Sequence, residues 1–132
     1  MTHQAAARIL IVAEDADLLS LYGAILESDN HYIHKSTYTS LEFTLDPVPD
    51  LIVLHYDFDF HKKILDLLEN VHRIYPKTSR PLLLIVAPKD WSDLSLIVLV
   101  DEYRISPVAP DYFRKTVEDL LQKKRSDQAY AM

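Results

Sequence analysis

The chain has 132 residues, room for one domain but not two, and its 48% hydrophobic and 26% charged composition is that of a packed globular protein. It has no cysteine, which excludes disulfides, thiolate metal sites, thiol nucleophiles and iron–sulfur clusters, and its single glycine, Gly23, excludes every glycine-rich phosphate loop. A formal net charge of −6 argues against nucleic acid as a partner, and no apolar run is long enough to span a bilayer. With no charged-then-apolar leader before the first apolar run, the expected location is the cytoplasm, away from any membrane.

Residues 8–13 form a continuous apolar run that ends at Glu14 and Asp15, the pattern of a strand buried on both faces. Residues 16–28 then repeat apolar side chains at helical spacing (Leu18, Leu21 or Tyr22, Ile25), with Asp15 placed as the cap. A second strand is predicted over 31–37, and a short helix over 39–45 stopped by Pro47 and Pro49. Residues 50–55 read as a third buried strand ending at His55. The spacing of Ile64, Leu67 or Leu68, Val71 and Ile74 predicts a long helix over 60–75.

Residues 81–87 give a fourth strand, and 91–101 a helix whose stretch 96–100 also has strand propensity. A short fifth strand follows at 103–105. Pro110 suits a first helical turn, and 111–125 form the last helix, with Tyr112 or Phe113, Val117 and Leu120 or Leu121 inward. Residues 1–7 and 126–132 are expected to be flexible ends around a domain spanning 8–125. Strands alternating with helices through short loops predict an α/β fold, a doubly wound parallel sheet covered on both faces. In such sheets chemistry sits at the carboxyl ends of the strands, here Ala13-Glu14-Asp15, His55-Tyr56-Asp57, Val86-Ala87 and Ser106-Pro107.

This pattern resembles the receiver domain of two-component response regulators. The resemblance rests on Arg8 to Val12 followed by acids, Asp17-Leu18-Leu19, Pro49-Asp50 leading into Leu51–Leu54, Pro81 to Ala87, and Tyr103 to Pro107. It implies a flavodoxin-like (βα)5 fold and a role in phosphorelay signalling. It further implies an acceptor aspartate closing the third strand, two acids holding magnesium after the first, a Thr or Ser closing the fourth, and a Lys before the proline after the fifth. In this chain those positions read His55, Ala13-Glu14 (with Asp15 one step late), Val86 and Ser106. Only Glu14 keeps the expected chemistry, although Pro107 is retained and is expected to follow a cis bond.

The expectation is therefore a degenerate receiver with no catalytic activity, cofactor or metal, acting by phosphorylation-independent protein interaction. Its implied partner is a signalling protein, a histidine kinase or an output protein. One alternative is a receiver still phosphorylated at Asp57 or Asp59, in the loop after the third strand. Another is an altered pocket that senses a small molecule or a proton. His55 with Glu14, Asp15 and Asp57 can be read as a metal cluster, as a histidine bonded to one acid, or as a proton switch whose pKa the acids raise.

Receivers signal through the face made by the fourth helix, fifth strand and fifth helix, and Tyr103 matches the aromatic switch residue on that strand. Residues 94–100 are nearly all apolar, so Leu96, Ile97 and Val100 are candidate interface residues, including for a homodimer. The opposing reading is a shortened, sunken helix. In the loop Tyr56-Asp57-Phe58-Asp59-Phe60, one or two rings are expected to fold back and fill the emptied pocket, the other reading being exposed aromatics that anchor an interface. Lys123, Lys124 and Arg125 read as cations at a helix C-terminus. His3, His31, His34, His61 and His72 have no ligand spacing.

Overall fold

In the computed structural model, residues 6–41, 45 and 47–130 are described. Five parallel strands, β1 (Arg8–Val12), β2 (Tyr32–Ser36), β3 (Leu51–His55), β4 (Leu82–Ala87) and β5 (Glu102–Ile105), form one sheet in the order β2-β1-β3-β4-β5. The helices are α1 (Ala16–Glu27), α2 (His61–Ile74), α3 (Leu94–Ile97) and α4 (Pro110–Tyr130), with a 3-10 turn at Phe58–Phe60. The doubly wound α/β architecture expected from the sequence is the one observed.

The three central strands are apolar on both faces because each face is covered, and the period of two divides their side chains into two cores. Ile9, Ile11, Leu51, Val53, Leu84 and Val86 pack under α1 and α4, against Tyr22, Leu26, Phe113, Val117 and Leu121. Leu10, Val12, Ile52, Leu54, Leu83 and Ile85 face α2, against Ile64, Leu67, Leu68 and Val71. The predicted inward residue Ile74 is exposed, since α2 ends there and its last turn overhangs the sheet. Likewise Leu21 and Tyr112 point outward, leaving Tyr22 and Phe113 as the buried members of each pair.

Local chemistry fixes the helix starts. The Asp15 side chain accepts from the N–H groups of Asp17 and Leu18, capping α1 as expected. Asp57 accepts from the N–H of Asp59 to start the 3-10 turn, and Asp93 accepts from that of Ser95 to start α3.

Four expectations need correction. In the predicted short helix over 39–45, residues 39 and 40 form a turn and 41 and 45 are irregular, while 42–44 lie outside the described residues. The helix predicted over 91–101 is only the four-residue α3, because Leu96 is drawn fully into the core. Helix α4 runs through 126 to Tyr130, so the expected tail there is helical to that point, and residues 131–132 lie outside the described residues. Finally, Ala7, which the sequence places in the end segment, is packed onto the domain. It is buried, and its N–H donates to His31 Nδ1 at 3.1 Å, while residues 1–5 lie outside the described residues.

The continuation of α4 also changes the reading of Lys123 to Arg125. These cations are internal to the helix, and Lys124 Nζ reaches the Asp50 carbonyl at 3.3 Å. Burial pushes the Lys124 pKa down, opposed by the charges of Asp50 and Asp101.

Candidate functional site

The strand ends converge where the resemblance placed a pocket. His55 closes β3 and stands beside Val86 of β4 in the sheet register, with the Tyr56 N–H donating to the Val86 carbonyl at 2.8 Å. Ser106 follows β5 and donates its N–H to the Ala87 carbonyl at 2.7 Å, and the Ser106–Pro107 bond is cis, as expected. Ala13 follows β1 and donates to the Ser36 carbonyl. The sheet thus brings Ala13, His55, Val86 and Ser106 to one edge.

The acids there are held by backbone. Glu14 Oε2 accepts from the Tyr38 N–H at 2.9 Å and the Thr39 N–H at 3.3 Å, and Oε1 accepts from the Thr39 hydroxyl at 2.7 Å. The Thr39 hydroxyl is the main reason the Glu14 carboxyl lies below the usual range, helped by both N–H groups and the charge of Lys63. Asp15 and Asp57 are the caps already described. Each carboxylate fastens a chain turn rather than facing a shared point. Among the described residues no group of three or more His, Asp or Glu side chains is arranged to hold a metal ion, so the cluster of His55, Glu14, Asp15 and Asp57 does not assemble.

His55 is half-buried, its ring 6.3 Å from Tyr22, which in turn lies 5.0 Å from Phe113. The contact of the His55 side chain among the described residues is the Tyr22 ring, not the expected bond to a neighbouring acid. Burial pushes the His55 pKa down, and the charges of Asp57 and Asp15 oppose it without prevailing. The acids do pull it up, as expected, but the net shift is downward. Removing an imidazolium from water costs more here than two solvated carboxylates return. Val86 is fully buried and offers no donor.

The loop after His55 folds inward as expected, with two of its three rings. Tyr56 is buried, Phe60 stacks on Tyr38 at 5.4 Å, and Phe58 is 81% exposed. Tyr38 is fully buried, and its hydroxyl donates to the His55 carbonyl at 2.7 Å. Sequence reasoning missed Tyr38, because its role depends on a loop crossing over β3.

Tyr103 is 39% exposed on the outer strand, with its ring edge-on to Trp91 at 5.6 Å rather than turned toward Val86. Among the named interface candidates, Leu96 is fully buried and therefore belongs to the core, and Ile97 and Val100 are half-buried. The exposed apolar side chains on this side are instead Leu94 and Val98, each 75% exposed, with Ile105 and Tyr112. The sunken-helix reading describes α3, although it leaves these side chains outside.

Three of the histidines serve structure. His31 is buried and joins the Ala7 N–H to Glu118 at 2.6 Å. His72 accepts from Arg80 at Nδ1 and meets the Leu99 carbonyl through Nε2. His61 Nδ1 lies 3.0 Å from the Tyr56 hydroxyl. A cleft of about 470 Å³ lies beside β2, lined by residues including Arg8, Tyr32, His34 and Pro49, away from His55.

No family model matches the sequence, and no curated protein is found as its relative. Solved structures do match the fold. NtrX from Brucella abortus, in complex with ADP, superposes with a TM-score of 0.79 at 17% identity over 96% of this chain, which spans only 29% of that protein. A CheY-like response regulator receiver domain protein from Methanospirillum hungatei matches at a TM-score of 0.71 and 21% identity, covering 93% of this chain and 99% of that one. The signal receiver domain of a response regulator from Bermanella marisrubri gives 0.69 and 19%, covering 89% and 99%. The chain shares their fold. Among the described residues no helix is long and apolar enough to cross a membrane.

Proposed function

We propose that this chain is a receiver-type signalling module that acts by binding a protein without being phosphorylated and without catalysing a reaction. The observation that carries the reading is the pairing of His55 with Val86 at adjacent strand ends, while Glu14, Asp15 and Asp57 are committed to backbone N–H groups. Phosphoryl transfer to a carboxylate needs a free acceptor oxygen, a cation over the phosphoryl oxygens and donors to receive them. A half-buried imidazole, next to an isopropyl group, supplies none of these.

The partner is a signalling protein, a histidine kinase or an output protein, and its docking surface is the side formed by α3, β5 and α4. Leu94, Val98, Tyr103, Ile105 and Tyr112 supply its apolar contacts. A second copy of the chain fits the same surface. Location in the cytoplasm goes with this reading.

The decisive measurement is intact mass after incubation with magnesium and a small phosphodonor. No added phosphoryl group is expected, and one that appears and is lost on Asp57→Ala or Asp59→Ala overturns the proposal. Light scattering of the chain and of a Val98→Asp variant tests self-association. A monomer at high concentration removes the homodimer and leaves the signalling protein as occupant.

A further inference from the structure

Resting on that reading, a second question concerns what sets the position of Tyr103 when no phosphoryl group can. Three rings run from the altered pocket to the docking side. Tyr56, the residue after His55, lies 5.6 Å from Trp91, and Trp91 lies 5.6 Å from Tyr103 with the planes at 63°. Trp91 is held in the turn between β4 and α3, where its N–H donates to the Pro88 carbonyl at 3.0 Å. It packs on the core cluster that also contains Tyr56 and Leu96.

The inner end of the row is anchored twice. The Tyr56 N–H is bonded to Val86, and its hydroxyl meets His61 Nδ1, which lies 3.6 Å from the Asp93 carboxylate that caps α3. The outer end, Tyr103, is the more exposed. Trp91 is thus a wedge between a fixed ring and a freer one, and an aromatic edge contact of this kind stabilises their arrangement beyond the area it buries. Its own indole N–H is shielded from water and closes no full hydrogen bond, reaching only toward the Tyr56 hydroxyl. A buried donor whose bond is incomplete weakens the seat, so the wedge is displaceable.

We propose that Trp91 is a latch that holds Tyr103 outward on the docking surface and ties its position to Tyr56 beside the altered pocket. With Trp91 seated, Tyr103 is presented to a partner; with Trp91 displaced, Tyr103 loses its only ring contact among the described residues and its orientation is released. Partner binding and the shape of the pocket are then linked through one indole rather than through a phosphoryl group. A link of this kind works only if the two positions of Trp91 differ in their contacts with Tyr103, and in the seated position that contact is the edge-on one at 5.6 Å.

Trp91 is the only tryptophan in the chain, so it reports on itself. The full chain is labelled with fluorotyrosine, the Tyr103 signal is assigned by its loss in Tyr103→Phe, and no partner or phosphodonor is added. In Trp91→Ala the Tyr103 fluorine signal should move toward that of free fluorotyrosine, and in Trp91→Phe, which keeps an aromatic wedge, it should stay near its native position. A Tyr103 signal unmoved in a folded Trp91→Ala chain overturns the latch. Should Trp91→Ala fail to fold, Tyr103→Ala decides: a red shift of Trp91 emission with easier acrylamide quenching supports the latch, and native emission overturns it. Because no phosphoryl group enters this experiment, its failure leaves the proposed function standing, and a phosphorylated chain leaves the latch result standing.

Discussion

The two faces of the sheet are closed in different ways. On one, two long helices, α1 and α4, lie over β1, β3 and β4, and the core between them is mostly aliphatic with Tyr22 and Phe113 at its centre. On the other, α2 is the only long helix among the described residues and α3 has four residues, so part of the cover comes from Tyr38, Tyr56, Phe60 and Trp91, which arrive on loops. The helical face depends on volume. The loop face depends on rings, and all of them except Phe60 carry a polar tip that needs a partner as well as space. A surface covered by loops can be rearranged at lower cost than one covered by helices, which suits the face that leads to Tyr103.

Substitutions that separate the faces make the contrast measurable. Phe113→Ala leaves a cavity under both long helices and should lower unfolding stability by about 3–5 kcal/mol in denaturant titration. A loss below about 1 kcal/mol would show that α4 is not the essential cover. Leu96→Ala, on the loop face, should cost about 2–5 kcal/mol, because this side chain is core despite its place in a short surface helix. The adjacent exposed Val98→Ala should cost less than about 0.5 kcal/mol. Equal losses at the two positions would contradict the sunken placement of α3.

Tyr38→Phe keeps the ring and removes the hydroxyl that reaches the His55 carbonyl, and should cost about 1 kcal/mol. An unchanged midpoint would mean that the loop over β3 is held by stacking alone. Gly23→Ala works in the other direction on the helical face. The new methyl meets only the flexible Lys35 side chain, at 3.1 Å, so the helix should gain up to about 1 kcal/mol if that chain swings aside.

The smallest effect is on pH dependence. Burial lowers the His55 pKa in the folded protein, so the unfolded chain binds the proton more readily and stability rises with pH through this window. The contribution is complete above about pH 6.5, the ordinary histidine value, and is lost as pH falls toward the folded pKa. His55→Gln should flatten the stability curve there. A slope unchanged in that variant would assign it to another group.

Much of the fold was legible because its strongest signals are periodic. The apolar runs that became β1, β3 and β4 and the spacing of Ile64, Leu67 and Val71 follow from burial on a defined face, and Asp15 at the start of α1 follows from the unpaired N–H groups of a helix end. The ends of elements were less legible. Ile74 continued the pattern of α2 beyond the sheet that would have buried it, and the cations at Lys123 to Arg125 looked like a terminus where α4 in fact continues. At the site, the residue types at 55, 86 and 106 could be read by position. The direction of the His55 shift could not, since it depends on how much water reaches the ring.

Residue order alone was enough for the alternation of strands and helices, the two-sided burial of the sheet, and which residue types stand at the strand ends. These follow from local periodicity and from chain order. It took the packed fold to bring Glu14 to the Tyr38 and Thr39 N–H groups, to draw Leu96 into the core while Leu94 and Val98 stay out, and to set Tyr56, Trp91 and Tyr103 in one row. Those outcomes join residues far apart in the chain, and which of several competing contacts a side chain makes is settled by the space its distant neighbours leave.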